Sequence, residues 1–147
     1  MTTTPDALSL LPRLVIAGAD AAIAYYQQAL GAELEERFTG PDGKVVHAEL
    51  SIGAARLAIK DEDGTDASAT TLGGSAIILQ LDVADADAVG AALVEAGGTV
   101  VFPIGDTGYG YRQGRVADPF GFSWLISQQI EELTDDETQA RLDTELG

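Results

Sequence analysis

The sequence predicts an α+β fold in which two βαβββ modules stand in tandem and a helix closes the chain. Three observations carry the prediction. The run Leu14-Val-Ile-Ala-Gly-Ala-Asp20, followed by Ala21 to Leu30 and Gly31, returns 65 positions later as Leu79-Gln-Leu-Asp-Val-Ala-Asp85, followed by Ala86 to Ala96 and Gly97, with the two glycines 66 positions apart. Each copy is followed by three strand-like runs separated by turn residues. Near the end, Thr134-Asp-Asp-Glu137 has the spacing of a reciprocal helix-start cap.

In order along the chain, each module starts with a short apolar strand. Asp20 and Asp85 stand where an N-cap is wanted, and Gly31 and Gly97 stand where a helix ends in the left-handed region. Between them, Ile23, Tyr26 and Leu30 in the first copy, and Val89, Leu93 and Ala96 in the second, recur at helical spacing, so each helix offers one apolar face to a sheet. Strands are expected at Glu33 to Thr39 and Lys44 to Ser51, joined by the turn Gly40-Pro-Asp-Gly43, and at Ala54 to Ile59. Their counterparts are Thr99 to Phe102, Tyr111 to Ala117 and, after the turn Asp118-Pro-Phe-Gly121, Phe122 to Ser127. The segment 61–75 is poor in large apolar residues and reads as a solvated, flexible linker. The organisation is thus a frayed start (1–10), a first module (11–60), the linker (61–75), a second module (76–127) and a helical tail (128–147).

Composition narrows the function. The chain has 147 residues, 8 Lys+Arg against 24 Asp+Glu, one His and no Cys, for a formal charge of −16. Such an acidic surface repels phosphate backbones, so nucleic acid is not an expected partner. The longest apolar run, Leu14 to Tyr26, is interrupted by Asp20 and is far shorter than the roughly 20 residues of a spanning helix, so membrane insertion is not expected either. Without cysteine there is no disulfide framework, thiolate metal site or cysteine nucleophile, which suits a cytoplasmic protein. Nor does any Gly-x-Ser-x-Gly elbow occur, or any phosphate-cradling glycine loop, and the acidic run from Asp61 to Asp66 lacks the spacing and final Glu of a calcium loop.

The duplicated plan, with Ala19-Asp-Ala-Ala-Ile-Ala-Tyr-Tyr-Gln-Gln-Ala-Leu-Gly31, His47-Ala-Glu-Leu-Ser-Ile-Gly53, Gly114-Arg-Val-Ala-Asp-Pro-Phe-Gly121 and Trp124, resembles the vicinal oxygen chelate superfamily of glyoxalases, bleomycin-resistance proteins and extradiol dioxygenases. Within it, the chain looks nearest to the PhnB-like branch. The resemblance implies cup-shaped mixed sheets that enclose a ligand or metal, and often a homodimer with sites at the interface. In metal-using members, four His, Glu or Gln side chains hold one divalent ion. Alignment on the helix and on the Asp-Pro-Phe-Gly turn puts those places at Leu11, Ala58, Ile78 and Leu125, none of which can ligate; a slip of one or two residues brings in Arg13, Lys60, Ala76 or Gln80, of which only Gln80 is a feasible weak ligand. Neither a metal nor another cofactor is therefore expected.

Two readings of function follow. The first is a metal-free small-molecule binding protein of the bleomycin-resistance type that sequesters a flat, partly apolar ligand such as an antibiotic. Its expected ligand-binding residues are His47, Tyr109, Tyr111, Arg112, Arg115, Phe122 and Trp124: the aromatics stack the guest, and the arginines or His47 orient it. Tyr109 sits in the glycine-rich Gly105 to Gly110 segment, a loop or lid. The second reading is a lyase, isomerase or dioxygenase acting on a small oxygenated substrate, with His47 and Glu49, two residues apart on one strand face, as the catalytic pair. A homodimer is expected, with each pocket lined mainly by His47, Tyr109, Tyr111, Phe122 and Trp124, and with the modules pairing either within one chain or across two.

Overall fold

The computed structural model describes residues 8–146. Most of the segment expected to fray, residues 1–7, lies outside the described residues. The first module comprises β1 (Arg13–Ile16), α1 (Ala19–Leu30), β2 (Glu33–Thr39), β3 (Val45–Ile52) and β4 (Ala55–Asp61). A short α2 (Ala69–Leu72) precedes the second module of β5 (Ile78–Asp82), α3 (Ala86–Glu95), β6 (Thr99–Asp106), β7 (Tyr111–Ala117) and β8 (Ser123–Gln129), and α4 (Asp135–Leu146) ends the described chain. The two sheets have the same topology, β1-β4-β3-β2 and β5-β8-β7-β6. In each, the first strand pairs parallel with the last and the others are antiparallel.

The expected helix faces are the buried ones. Ile23 and Tyr26 of α1 and Leu93 of α3 are in the core, with Leu30, Val89 and Ala96 packed against it. Gly31 takes the left-handed conformation at φ 64° and closes α1 through bonds to Gln27 and Tyr26, whereas α3 ends on Ala96 in helical conformation and Gly97 stands beyond it at φ 130°. Asp85 caps α3, accepting from the Ala88 N–H. Asp20 does not cap α1. The N-cap is Gly18, and Asp20, in the first turn, pairs instead with Arg37 at 2.8 Å. The bond that Asp20 was expected to supply comes from across the sheet: Asp61, the last residue of β4, accepts the Ala19 N–H at 2.7 Å and the Val45 N–H at 2.8 Å. Gln128 near the end of β8 does the same for α3, accepting the Ala86 N–H at 2.9 Å.

Segment 61–75 differs from the expected solvated linker. Lys60 reaches Asp63 and Asp66, Glu62 accepts from Ser68 and Thr71, and the fully buried Ser68 caps α2, which lies against β1. Polar bonds, which a scan for large apolar residues does not register, hold it in place.

The modules share one core within the chain. Tyr25 and Tyr26 of α1 pack edge-on at 5.4 Å between centroids, Phe120 lies 5.9 Å from Tyr25, and Trp124 lies 5.5 Å from Tyr26. The Tyr25 hydroxyl donates to the Leu93 carbonyl of α3 at 2.7 Å. Beneath the rings, Asp118 is 6% exposed and accepts four hydrogen bonds: from the Phe120 and Phe122 N–H groups, the Tyr26 hydroxyl and the Trp124 indole N–H.

Candidate functional site

Helix α3 covers one face of the second sheet and leaves the other open. Directly paired residues share a face, so register defines what the open face presents: a row Asp82, Ser127, Gln113, a neighbouring row Gln80, Leu125, Arg115, Phe102, and the pair Gln129 and Tyr111. A cavity of about 640 Å³ lies over this face, lined by Gln80, Asp82 and Val83, Tyr109 and Tyr111, Gln113, Ser127 and Gln129. That volume falls within the span of small-molecule pockets. Its polar groups are partly ordered among themselves. The Tyr109 hydroxyl donates to Gln113 at 3.1 Å, Gln113 donates to Ser127 at 2.9 Å, and Gln80 donates to Asp82 at 3.0 Å. Three primary amides each offer a donor and an acceptor to a guest, the tyrosines offer ring faces, and Asp82 offers negative charge.

Of the residues expected to bind ligand, Tyr109 and Tyr111 line this cavity. Arg115 faces the same side one row away; its guanidinium stands 5.3 Å over the Phe102 ring, and its buried Nε finds no hydrogen-bond partner among the described residues. Arg112, one residue out of phase with Tyr111, emerges on the helix side, where Asp87 of α3 holds it by two bonds and Asp106 by a third, and these acidic partners push its pKa up. It does not reach the cavity. Phe122 and Trp124 also lie on the covered side, in the core, with Trp124 only 3% exposed and bonded to Asp118. The expected convergence of His47, Tyr109, Tyr111, Phe122 and Trp124 on one pocket is therefore absent from the single chain. Gln80, considered only as a weak metal ligand, proves to be a cavity residue. Asp82, Gln113, Ser127 and Gln129 were missed, although the two-residue polar alternation along β7 and β8 marks the last three.

The open face of the first sheet carries His47 and Glu49 on β3, with Glu36 opposite Glu49 on β2. His47 Nε2 is 3.1 Å from Glu36 and 3.7 Å from Glu49, so the nearer partner is not the one the sequence suggested. Ala58, Ile78 and Leu125, three of the four places where the family resemblance implies metal ligands, lie on the open faces, as register with Glu49 and with Gln80 shows. With Leu11, they supply no donor atom, and Lys60 is occupied by Asp63 and Asp66. The residues at those four places do not fit a divalent ion.

Comparison with known proteins agrees with this architecture. The family model described as the Glyoxalase/Bleomycin resistance protein/Dioxygenase superfamily matches residues 11–126. The uncharacterised protein Rv0887c of Mycobacterium tuberculosis is 37% identical over 142 residues, which cover 93% of this chain and 84% of that one. Among solved structures, TioX from Micromonospora sp. ML1 superposes with a TM-score of 0.64 at 22% identity, covering 86% of this chain and 100% of that one. TnmS3, an antibiotic binding protein from Streptomyces sp. CB03234, superposes at 0.65 and 22% identity, covering 86% and 99%. At that identity both show the shared fold.

Proposed function

Since the chain belongs to the Glyoxalase/Bleomycin resistance protein/Dioxygenase superfamily, we propose that it sequesters a flat, partly apolar small molecule, such as an antibiotic, in the cavity on the open face of its second sheet. The observation that carries this reading is the cavity's lining: two tyrosines for stacking, three glutamine amides and Ser127 for polar recognition, and room for a drug-sized guest. Asp82 and the overall charge of −16 favour a guest bearing positive charge. TnmS3, of the same fold, is an antibiotic binding protein. The competing reading, a lyase, isomerase or dioxygenase, draws on His47 and Glu49, which are not among the residues lining this cavity. We further infer a cytoplasmic homodimer: the chain has no cysteine to protect, no helix among the described residues is long and apolar enough to cross a membrane, and Phe38, Val100, Val101 and Phe102 on the outermost strands are exposed.

Native mass spectrometry against a panel of cationic and neutral aromatic natural products tests the proposal. One guest per chain is expected, with binding weakened by about tenfold or more in Gln113→Ala and Tyr111→Ala. A panel without any binder, or a binder indifferent to both substitutions, would overturn it.

A further inference from the structure

Beyond that reading, we propose that Glu36, His47 and Glu49 form a site for one divalent transition ion on the open face of the first sheet. Glu36 and Glu49 are directly opposite in the β2–β3 register, an arrangement in which two carboxylates repel unless a positive charge stands between them. His47 is placed to join them. One ligand atom from each of the three lies within 4.8 Å of the others, with edges of 3.1 Å and 3.7 Å from His47 Nε2. An ion with bonds of about 2.1 Å sets its donors roughly 3.0 to 3.4 Å apart in octahedral or tetrahedral geometry, so small rotations of two glutamates would complete the set. The Phe38 ring stacks on the imidazole at 6.4 Å and 17°, which steadies its plane.

A second feature concerns Glu49 itself. The Glu49 side chain is 8% exposed, and its buried Oε1 has no hydrogen-bond partner among the described residues. Its compensation comes from Arg56, whose 62%-exposed guanidinium ion-pairs with Oε1, while Oε2 faces His47. A carboxylate so buried calls for a positive partner held in place rather than a mobile surface one. One imidazole nitrogen with two carboxylates suits the manganese-to-zinc series better than Mg²⁺ or Ca²⁺, which prefer all-oxygen shells, and three protein donors leave positions open. The site is distinct from Leu11, Ala58, Ile78 and Leu125, and from the cavity on the second sheet.

The test uses the full chain, stripped with a chelator and titrated with Mn²⁺ by electron paramagnetic resonance. The expected result is one Mn²⁺ per chain, with imidazole nitrogen coupling in the pulsed spectrum. That coupling should vanish in His47→Asn, and affinity should fall by about tenfold or more in Glu36→Gln. Both positions keep some solvent contact, and circular dichroism verifies that the variants fold. Asp63→Asn and Asp87→Asn, which remove acidic groups elsewhere, should leave binding unchanged. No stoichiometric uptake up to about 1 mM, or uptake indifferent to Glu36→Gln and His47→Asn, would overturn the site and leave Arg56 and His47 as the partners of the two carboxylates among the described residues. Neither failure bears on the small-molecule cavity, whose test is substitution of Gln113 and Tyr111.

Discussion

Asp118 shows how one side chain can tie a turn to a core. Its Oδ1 takes the Phe120 and Phe122 N–H groups at 2.8 and 3.0 Å, and its Oδ2 takes the Tyr26 hydroxyl and the Trp124 indole. Asp118→Ala strands four donors, three of them in buried bonds, and we expect a loss of about 3 to 5 kcal/mol in urea unfolding; Tyr26→Phe removes one bond to a charged acceptor and should cost about 1.5 to 3 kcal/mol. The same cluster predicts alkaline behaviour. Burial, then the negative Asp118, pushes the Tyr25 pKa up to about 12 and that of Tyr26 further still. The folded state therefore holds these phenolic protons after the unfolded state has released them. Their contribution is whole below about pH 10 and is lost as pH rises through the folded values. Urea midpoints between pH 8 and 11.5 should stay level and then fall, and less steeply in Tyr26→Phe. At the cavity, Gln113→Ala should change stability by only about 1 kcal/mol, because the residue is half-buried on an open face. Its effect belongs to ligand affinity.

At the scale of elements, what was legible in the sequence is what local pattern encodes. The repeat, the helix faces, the Asp85 cap and the reciprocal Thr134–Glu137 bonds at the start of α4 all appear where expected. Contacts between residues far apart in the chain were not legible. The α1 N-terminus is served by Asp61, 42 residues away from Ala19, rather than by Asp20. We expect Asp61→Ala to cost about 2 kcal/mol, since it frees both the Ala19 and the Val45 N–H, and Gln128→Ala to cost about 1 kcal/mol for the single bond to Ala86; chemical denaturation ranks the pair. The candidate site was half legible for a different reason. Aromatic and basic residues were collected by type, which joined Arg112 and Trp124 to Tyr111 and Arg115 although strand alternation sends them to opposite faces. Parity along β7 and β8 separates the two groups and brings in Gln113, Ser127 and Gln129.

For the molecule as a whole, the charge of −16 and the uncovered strands have opposite tendencies. Like charge keeps copies apart, while exposed Phe38 on β2 and Val100 to Phe102 on β6 favour covering by a second chain. Light scattering should therefore give twice the 15.3 kDa chain mass, more firmly as salt screens the repulsion over a Debye length of about 8 to 10 Å; a mass of one chain at every ionic strength would remove the dimer. Two open faces on one core also leave room for two chemistries, an amide-lined cavity and a Glu-His-Glu cluster. The claim that most needs testing is that the cavity on the second sheet receives the ligand. Nuclear magnetic resonance of the protein saturated with a binder from the natural-product panel tests it most directly. The account predicts that the side-chain amide signals of Gln80, Gln113 and Gln129 shift together, while the Trp124 indole N–H, bonded to Asp118 in the core, stays in place. Shifts centred on Trp124, or on residues away from the open face of β5, β7 and β8, would contradict it.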